Sequence, residues 1–327
     1  MKKACMLSQP NSAFGSSKDS NCADQRRSWA LKGLATALIS AGLLAGVPSL
    51  AADSSLPSNP QVQPGPSKAV QPQVDKQTAA AAAERRKALL SDASEAISQT
   101  QQALKALEEQ KNDVALRALA EATGKLELIV SRDPSLKLAP VATNVVTSDV
   151  LAGPGAVKIA IAEARQALSD GDIPKARLLV EALTSEVRIH TTNIPLATYP
   201  AAIKAITPLI DAGKIDEAKT QLQTALNTMV ITTDVIPLPK LRAESLLKEA
   251  QALTEKKDRS KEDNEKLANQ LKTVREQLQM AELLGYGRKR DFQPMYAQLE
   301  SIEKSSAGGK SGAGWFDKIR RLVAEAF

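Results

Sequence analysis

The sequence predicts an all-α protein, with minor short β pairing left open. Antiparallel helical hairpins form one bundle-like domain, followed by a tethered amphipathic helix. Three observations carry this. Aromatic residues make up only 3% of a chain that is 43% hydrophobic, so the core is aliphatic, which suits helices better than a sandwich or barrel. From Ala79 onward apolar residues recur at spacings of three and four. Short polar breaks separate the stripes, as they do between antiparallel helices. At 327 residues the chain is long enough to bury a sizeable core.

The first element is an address. Residues 34–47 are an uncharged, mostly apolar run, too short for a bilayer span of about 20 residues. Arg26, Arg27 and Lys32 precede it, and Ser49-Leu50-Ala51 supplies small residues at the positions a leader peptidase reads. Residues 1–51 therefore read as a signal peptide cut between Ala51 and Ala52, which sends the protein to the periplasm. The general secretory route is favoured. Arg26-Arg27-Ser28-Trp29 keeps the twin-arginine route as the alternative. Cleavage removes Cys5 and Cys22, so no disulfide is expected. It also removes six basic and two acidic residues, taking the formal charge from +6 to +2. Nucleic-acid binding, which needs a concentrated basic surface, loses its support.

Residues 52–83 hold five prolines among Gln, Ser and Val without periodicity up to residue 77, and read as a disordered tether. The helical domain spans 84–304. Its first hairpin carries Leu90, Ala93, Ile97, Leu104 and Leu107, then Ala115, Leu119, Ala122, Leu126 and Ile129. A second has Val157, Ile161, Ala164 and Leu168, a turn at Asp170-Gly171-Asp172, then Ala176, Leu179 and Leu183, with Asp172 as N-cap. A third has Ile203, Ile206 and Ile210, then Gly213, then Ala218, Leu222 and Ala225; Pro208 should split its first helix. The units lack a constant period, so they are not a solenoid. Stretches 140–151, 188–196 and 229–238 are rich in Val, Ile and Thr, and either pair as short strands or run extended. A long charged hairpin follows, with Ser260 and Asp263 as a capping box. A shorter helix through Phe292 and Leu299 comes next, then a Gly/Ser linker at 305–314 and a terminal helix at 315–327.

Candidate chemistry is sparse. His190 has no second histidine and no mature cysteine to share a metal, so no metal or other cofactor is expected. Gly153-Pro154-Gly155 opens a helix without the Lys-Ser/Thr of a phosphate loop. No catalytic residue is singled out. The tail is the sharpest local feature: Trp315, Phe316, Ile319, Leu322 and Phe327 fill one helical face. On a flexible linker, that face is expected to cover a groove on its own protein, meet another subunit or lie on a membrane surface, with protein docking favoured over peripheral membrane attachment.

Several segments resemble the YfdX family of exported bacterial proteins. They are ATGKLELIVSRDPSLKLAPV at 122–141, TTNIPLATYPAAIKAI at 191–206, LIDAGKIDEAKTQLQTALNTMVITTDVIPLPKLRAE at 209–244 and AELLGYG at 281–287. The likeness covers about 84–287, and GWFDKI at 314–319 is similar to the ending of longer members. It implies a mainly helical periplasmic protein that oligomerises and is linked to acid or heat stress, with no catalytic residues to carry over. The expected function is a chaperone-like or scaffolding, non-enzymatic binding protein, with unfolded or envelope proteins as clients. The alternatives are an envelope hydrolase using carboxylates or a Ser/Lys pair, and a small-ligand carrier.

Overall fold

The structure is a computed structural model that describes residues 65–327. The expected signal peptide with its expected cleavage point at Ala51 and Ala52, both cysteines, and residues 52–64 of the expected tether lie outside the described residues.

In order, the elements are α1 (Gly65–Ala69), α2 (Gln71–Lys87), α3 (Ser91–Glu108), α4 (Asn112–Arg132), β1 (Leu138–Ser148), α5 (Pro154–Ser169), α6 (Ile173–Glu181), β2 (Glu186–Pro195), α7 (Tyr199–Lys204), α8 (Thr207–Asp211), α9 (Ile215–Leu226), β3 (Val230–Pro237), α10 (Leu238–Glu255), α11 (Lys261–Leu283), α12 (Lys289–Ser306) and α13 (Asp317–Ala326). The protein is mostly helical, with one small antiparallel sheet in the order β1-β2-β3. All three Val/Ile/Thr-rich stretches therefore pair. Isolated strands of this kind are marginal, and the helix α2 stabilises them by covering one face: Val74 and Ala82 pack with Val187 and Ile189 of β2 and with Leu238 and Leu241 of α10.

The hairpin α3–α4 forms a first core with α7, α8 and α9. Its inner faces are largely alanine: Ala93, Ala96, Ala103 and Ala106 meet Ala115, Ala118 and Ala122. Small side chains let the helix backbones approach closely. Pro208 splits the next helix into α7 and α8, as the sequence predicts. A second core joins α10, α11, α12 and α13.

One turn device closes several hairpins. A residue with positive φ ends the helix, and the next amide donates to the carbonyl five residues back: Lys111 to Ala106, Asp172 to Ala167, Lys214 to Leu209 and Tyr286 to Ala281. The positive-φ residues are Gln110, Gly171, Gly213 and Gly285. This is the Schellman cap, for which glycine is the natural residue. It explains why the second and third hairpins both turn at a glycine without being repeats.

Two expectations need correction. Residues 65–83 are helical, not a disordered tether. Pro66 and Pro72 fall in first turns, where a missing N–H is harmless. The alanine run 79–83 favours helix, while Val70 and Val74 are fully buried. Residues 305–314 are not a free linker either. Arg259, itself buried, donates to the carbonyls of Ser306 and Lys310, and Gly312 N–H donates to the Thr254 carbonyl. The terminal helix is therefore part of the fold: Phe316, Ile319 and Val323 are 0% exposed, with Trp315, Leu322 and Phe327 packed beside them. Phe327 makes an edge contact with Phe292 at 5.8 Å. The amphipathic face is covered by its own protein, which removes it as a membrane or partner anchor.

Phe316→Ala should therefore destabilise the fold by about 3–5 kcal/mol, the usual cost of emptying an aromatic core site. A thermal melt tests this; an unchanged melting temperature would contradict the packing of α13.

Candidate functional site

The connection between β1 and β2 is a projecting two-helix arm. Ser148 and Glu186 are register partners in adjacent strands, so the chain leaves and re-enters the sheet at one point. Pro154 starts α5 after Gly153, and the Asp172 carboxylate accepts the Lys175 N–H at 3.2 Å to cap α6. Val157, Ala164 and Ala167 of α5 and Ala176 of α6 are buried. None belongs to any of the three core clusters. The main neighbour of α6 is α5, and α5 leans on α11.

The arm carries apolar residues that this thin seam cannot cover. Ile159 is 63% and Leu178 68% exposed, and Leu151, Leu168, Ile173 and Val180 are also exposed. These six are the majority of the exposed large hydrophobics among the described residues. Ile159 lies about 200° around α5 from Val157, and Leu178 about 200° around α6 from Ala176. Both therefore point away from the seam. Their concentration on one appendage makes the arm the candidate interaction element. The outer sheet face adds Ile231 and Val235, both exposed.

The neck of the arm is polar and closed. Arg242 donates to both Asp149 oxygens, at 3.1 and 2.5 Å, and to the Gln71 side-chain oxygen. Ser185 donates through Oγ to Asp149 at 2.7 Å and through its N–H to the Tyr286 hydroxyl at 2.8 Å. Burial and the neighbouring Glu186 carboxylate push the Tyr286 phenol well above its ordinary range, so it stays protonated. Ser185 is 1% exposed. Its hydroxyl is spent on Asp149, so the cluster is built as a structural tie rather than as an accessible nucleophile.

A charged groove of about 790 Å³ lies between α2, α10 and α13. Of its carboxylates, Glu249 accepts from Gln73 and Gln270. Burial raises the Glu244 pKa, against the pull of Lys240 and Arg320. His190 sits on the outer sheet face, its Nδ1 2.9 Å from Thr233 Oγ1. Among the described residues no group of three or more His, Cys, Asp or Glu is placed to hold a metal, and no helix is long and apolar enough to cross a membrane.

Trp315, Phe316, Ile319, Leu322 and Phe327 do converge, but inside the second core. The arm was the feature that stripe-reading missed. Ile159, Ile173, Leu178 and Val180 fall off the stripes that define the second hairpin. Apolar residues on both faces of a short two-helix unit were the available signal.

The arm lies within a stretch shared with similar proteins. Residues 96–235 match the YfdX family model. Its description is "YfdX protein". The YfdX match runs from within α3 into β3 and so takes in the first hairpin, most of the sheet and the whole arm; α10 to α13 lie beyond it. A solved structure of YfdX from Salmonella Typhi aligns at 16% identity, over 46% of this chain and 93% of that chain, with a TM-score of 0.32. No curated protein matches.

Because α6 has so little packed against it, its amides should exchange with solvent faster than those of α10 and α11. Hydrogen-exchange mass spectrometry measures this, and protection of α6 equal to α10 would mean that something else covers the arm.

Proposed function

We propose that the protein is an exported, non-enzymatic binding protein that holds partly unfolded polypeptides through the α5–α6 arm. The observation that carries the reading is the arm itself: six exposed large apolar side chains on a hairpin outside every core cluster. Aliphatic side chains suit this role, since they bury against many sequences without directional demands. Lys158, Glu163, Arg165, Lys175, Arg177 and Glu181 are interspersed along the same helices, which keeps the arm soluble when empty. The periplasm is the proposed compartment, from the basic flank, apolar run and Ser49-Leu50-Ala51 of the leader. The YfdX likeness adds acid or heat stress as the proposed circumstance, when unfolded clients accumulate. Self-association through the same surface is the competing occupant.

The test is suppression of aggregation of heat-denatured citrate synthase by the purified chain lacking residues 1–51. The wild type should lower light scattering, and Ile159→Glu with Leu178→Glu should lose most of that effect without a change in melting temperature. Loss of a dimer by the variant, with client protection unchanged, would assign the arm to self-association instead. Parallel turnover of chromogenic ester or amide substrates would overturn the non-enzymatic reading.

A further inference from the structure

A second cavity shares no lining residue with the charged groove, and the arm does not line it. It holds about 610 Å³ between the α2–α3 link, the C-terminal end of α4 and the ends of the three strands. That volume is within the usual range for small-molecule sites, roughly 300–1,000 Å³. Its wall is aliphatic: Leu89, Leu90, Ile129, Leu136, Leu138 and Pro140.

Its polar residues come from the strands. Thr191 and Asn193 lie two apart on β2, on the same face, and Thr232 is the cross-strand partner of Thr191. The Asn193 amide nitrogen donates to the Thr191 and Val230 carbonyls at 2.8 and 3.1 Å and to Thr232 Oγ1 at 3.2 Å. These bonds fix the carboxamide. Thr191 is only 7% exposed, yet its hydroxyl oxygen is buried without a hydrogen-bond partner. A buried hydroxyl left unsatisfied costs about 1–3 kcal/mol. Thr191 is one of the residues that line the cavity, and its closed-off hydroxyl reaches a bound group only through a small shift of the side chain.

The charges at the rim weigh against an anionic ligand. Arg85 pairs with Asp234 at 2.8 Å and Arg132 with Asp92 at 2.7 Å. Asp133 accepts both the N–H and the hydroxyl of Ser135. Both arginines are committed, and the lining carboxylates outnumber them by three to two. An anion would meet a site with no free cation to receive it.

We infer that this cavity binds a small, uncharged amphipathic molecule whose hydroxyl, carbonyl or aryl-amine N–H end pairs with Thr191 while its apolar body lies along the leucine wall. This site is independent of the α5–α6 arm and does not rest on the client-binding proposal.

The test uses two fluorescent probes on the folded chain: N-phenyl-1-naphthylamine, which is uncharged with one N–H, and 8-anilino-1-naphthalenesulfonate, which is similar in size but anionic. The uncharged probe should bind saturably at one site and the sulfonate more weakly. Thr191→Val, which keeps the shape and removes the hydroxyl, should weaken the uncharged probe by about threefold to tenfold, the worth of one neutral hydrogen bond. Ala88→Trp, at an exposed lining position, should obstruct the mouth and weaken it by about tenfold or more. Leu136→Trp gives a second obstruction from within the wall. Ile159→Glu with Leu178→Glu should leave probe binding unchanged. Loss of binding in that arm variant, equal affinity in the Thr191 and Ala88 variants, or no saturable binding would each overturn the inference.

Discussion

The bidentate pair between Arg242 and Asp149 is the constraint on which the rest of the arrangement depends. Arg242 belongs to α10, Asp149 to the segment leaving β1, and the same pair reaches Gln71 at the start of α2 and Ser185 at the start of β2. Four segments distant in sequence therefore meet at one ion pair. Buried ion pairs add little net stability over a hydrophobic substitute, because desolvation offsets attraction, but they specify geometry. An aliphatic patch at this junction would tolerate sliding, whereas a planar fork on a carboxylate does not. The fork fixes how the sheet meets the second helical core.

That junction explains why α10 is so deeply buried. The helix touches α11 and α13 on one side, and α2 and the sheet on another. Its buried residues include Ala243, Leu246, Leu247 and Ala250. A helix with neighbours on several sides cannot keep one apolar stripe and one polar face. Its polar residues are then buried too: Arg242 pairs with Asp149, while its Nε and the Ser245 hydroxyl have no hydrogen-bond partner. The arm shows the opposite case: with α5 and α6 covering chiefly each other, apolar residues remain outside.

The legible parts of the fold were those set by local rules. The hairpin stripes, the split at Pro208, the N-cap at Asp172 and the capping box at Ser260 and Asp263 all involve residues within four positions of each other. The strands were legible as extended segments, but their pairing depends on register across some forty residues, with α2 as a cover. The tether and linker readings failed for the same reason. Pro, Gly and Ser mark weak local preference, and only distant partners such as Gln277 with Ser67, or Arg259 with Lys310, decide whether such a segment is held. The arm's exposed residues were visible by name, but their exposure is a fact about what does not pack against them. The Thr191 cavity was invisible for a similar reason, since it is framed by the α2–α3 link, α4 and all three strands together.

The pairing of Ser148 with Glu186 gives the arm a modular character. In topology it is a hairpin loop that has been enlarged to hold two helices. Ser185 and Asp149 join directly across its base at 2.7 Å, so the sheet's register is secured below the insertion and does not depend on what lies above it. Closing a longer loop costs only about 0.6 kcal/mol for each doubling of its length. Helices could be lengthened, exchanged or removed beyond that base while the strands and both helical cores kept their places. The part of the chain that carries the exposed apolar residues is thus the part least tied to the folding of the rest.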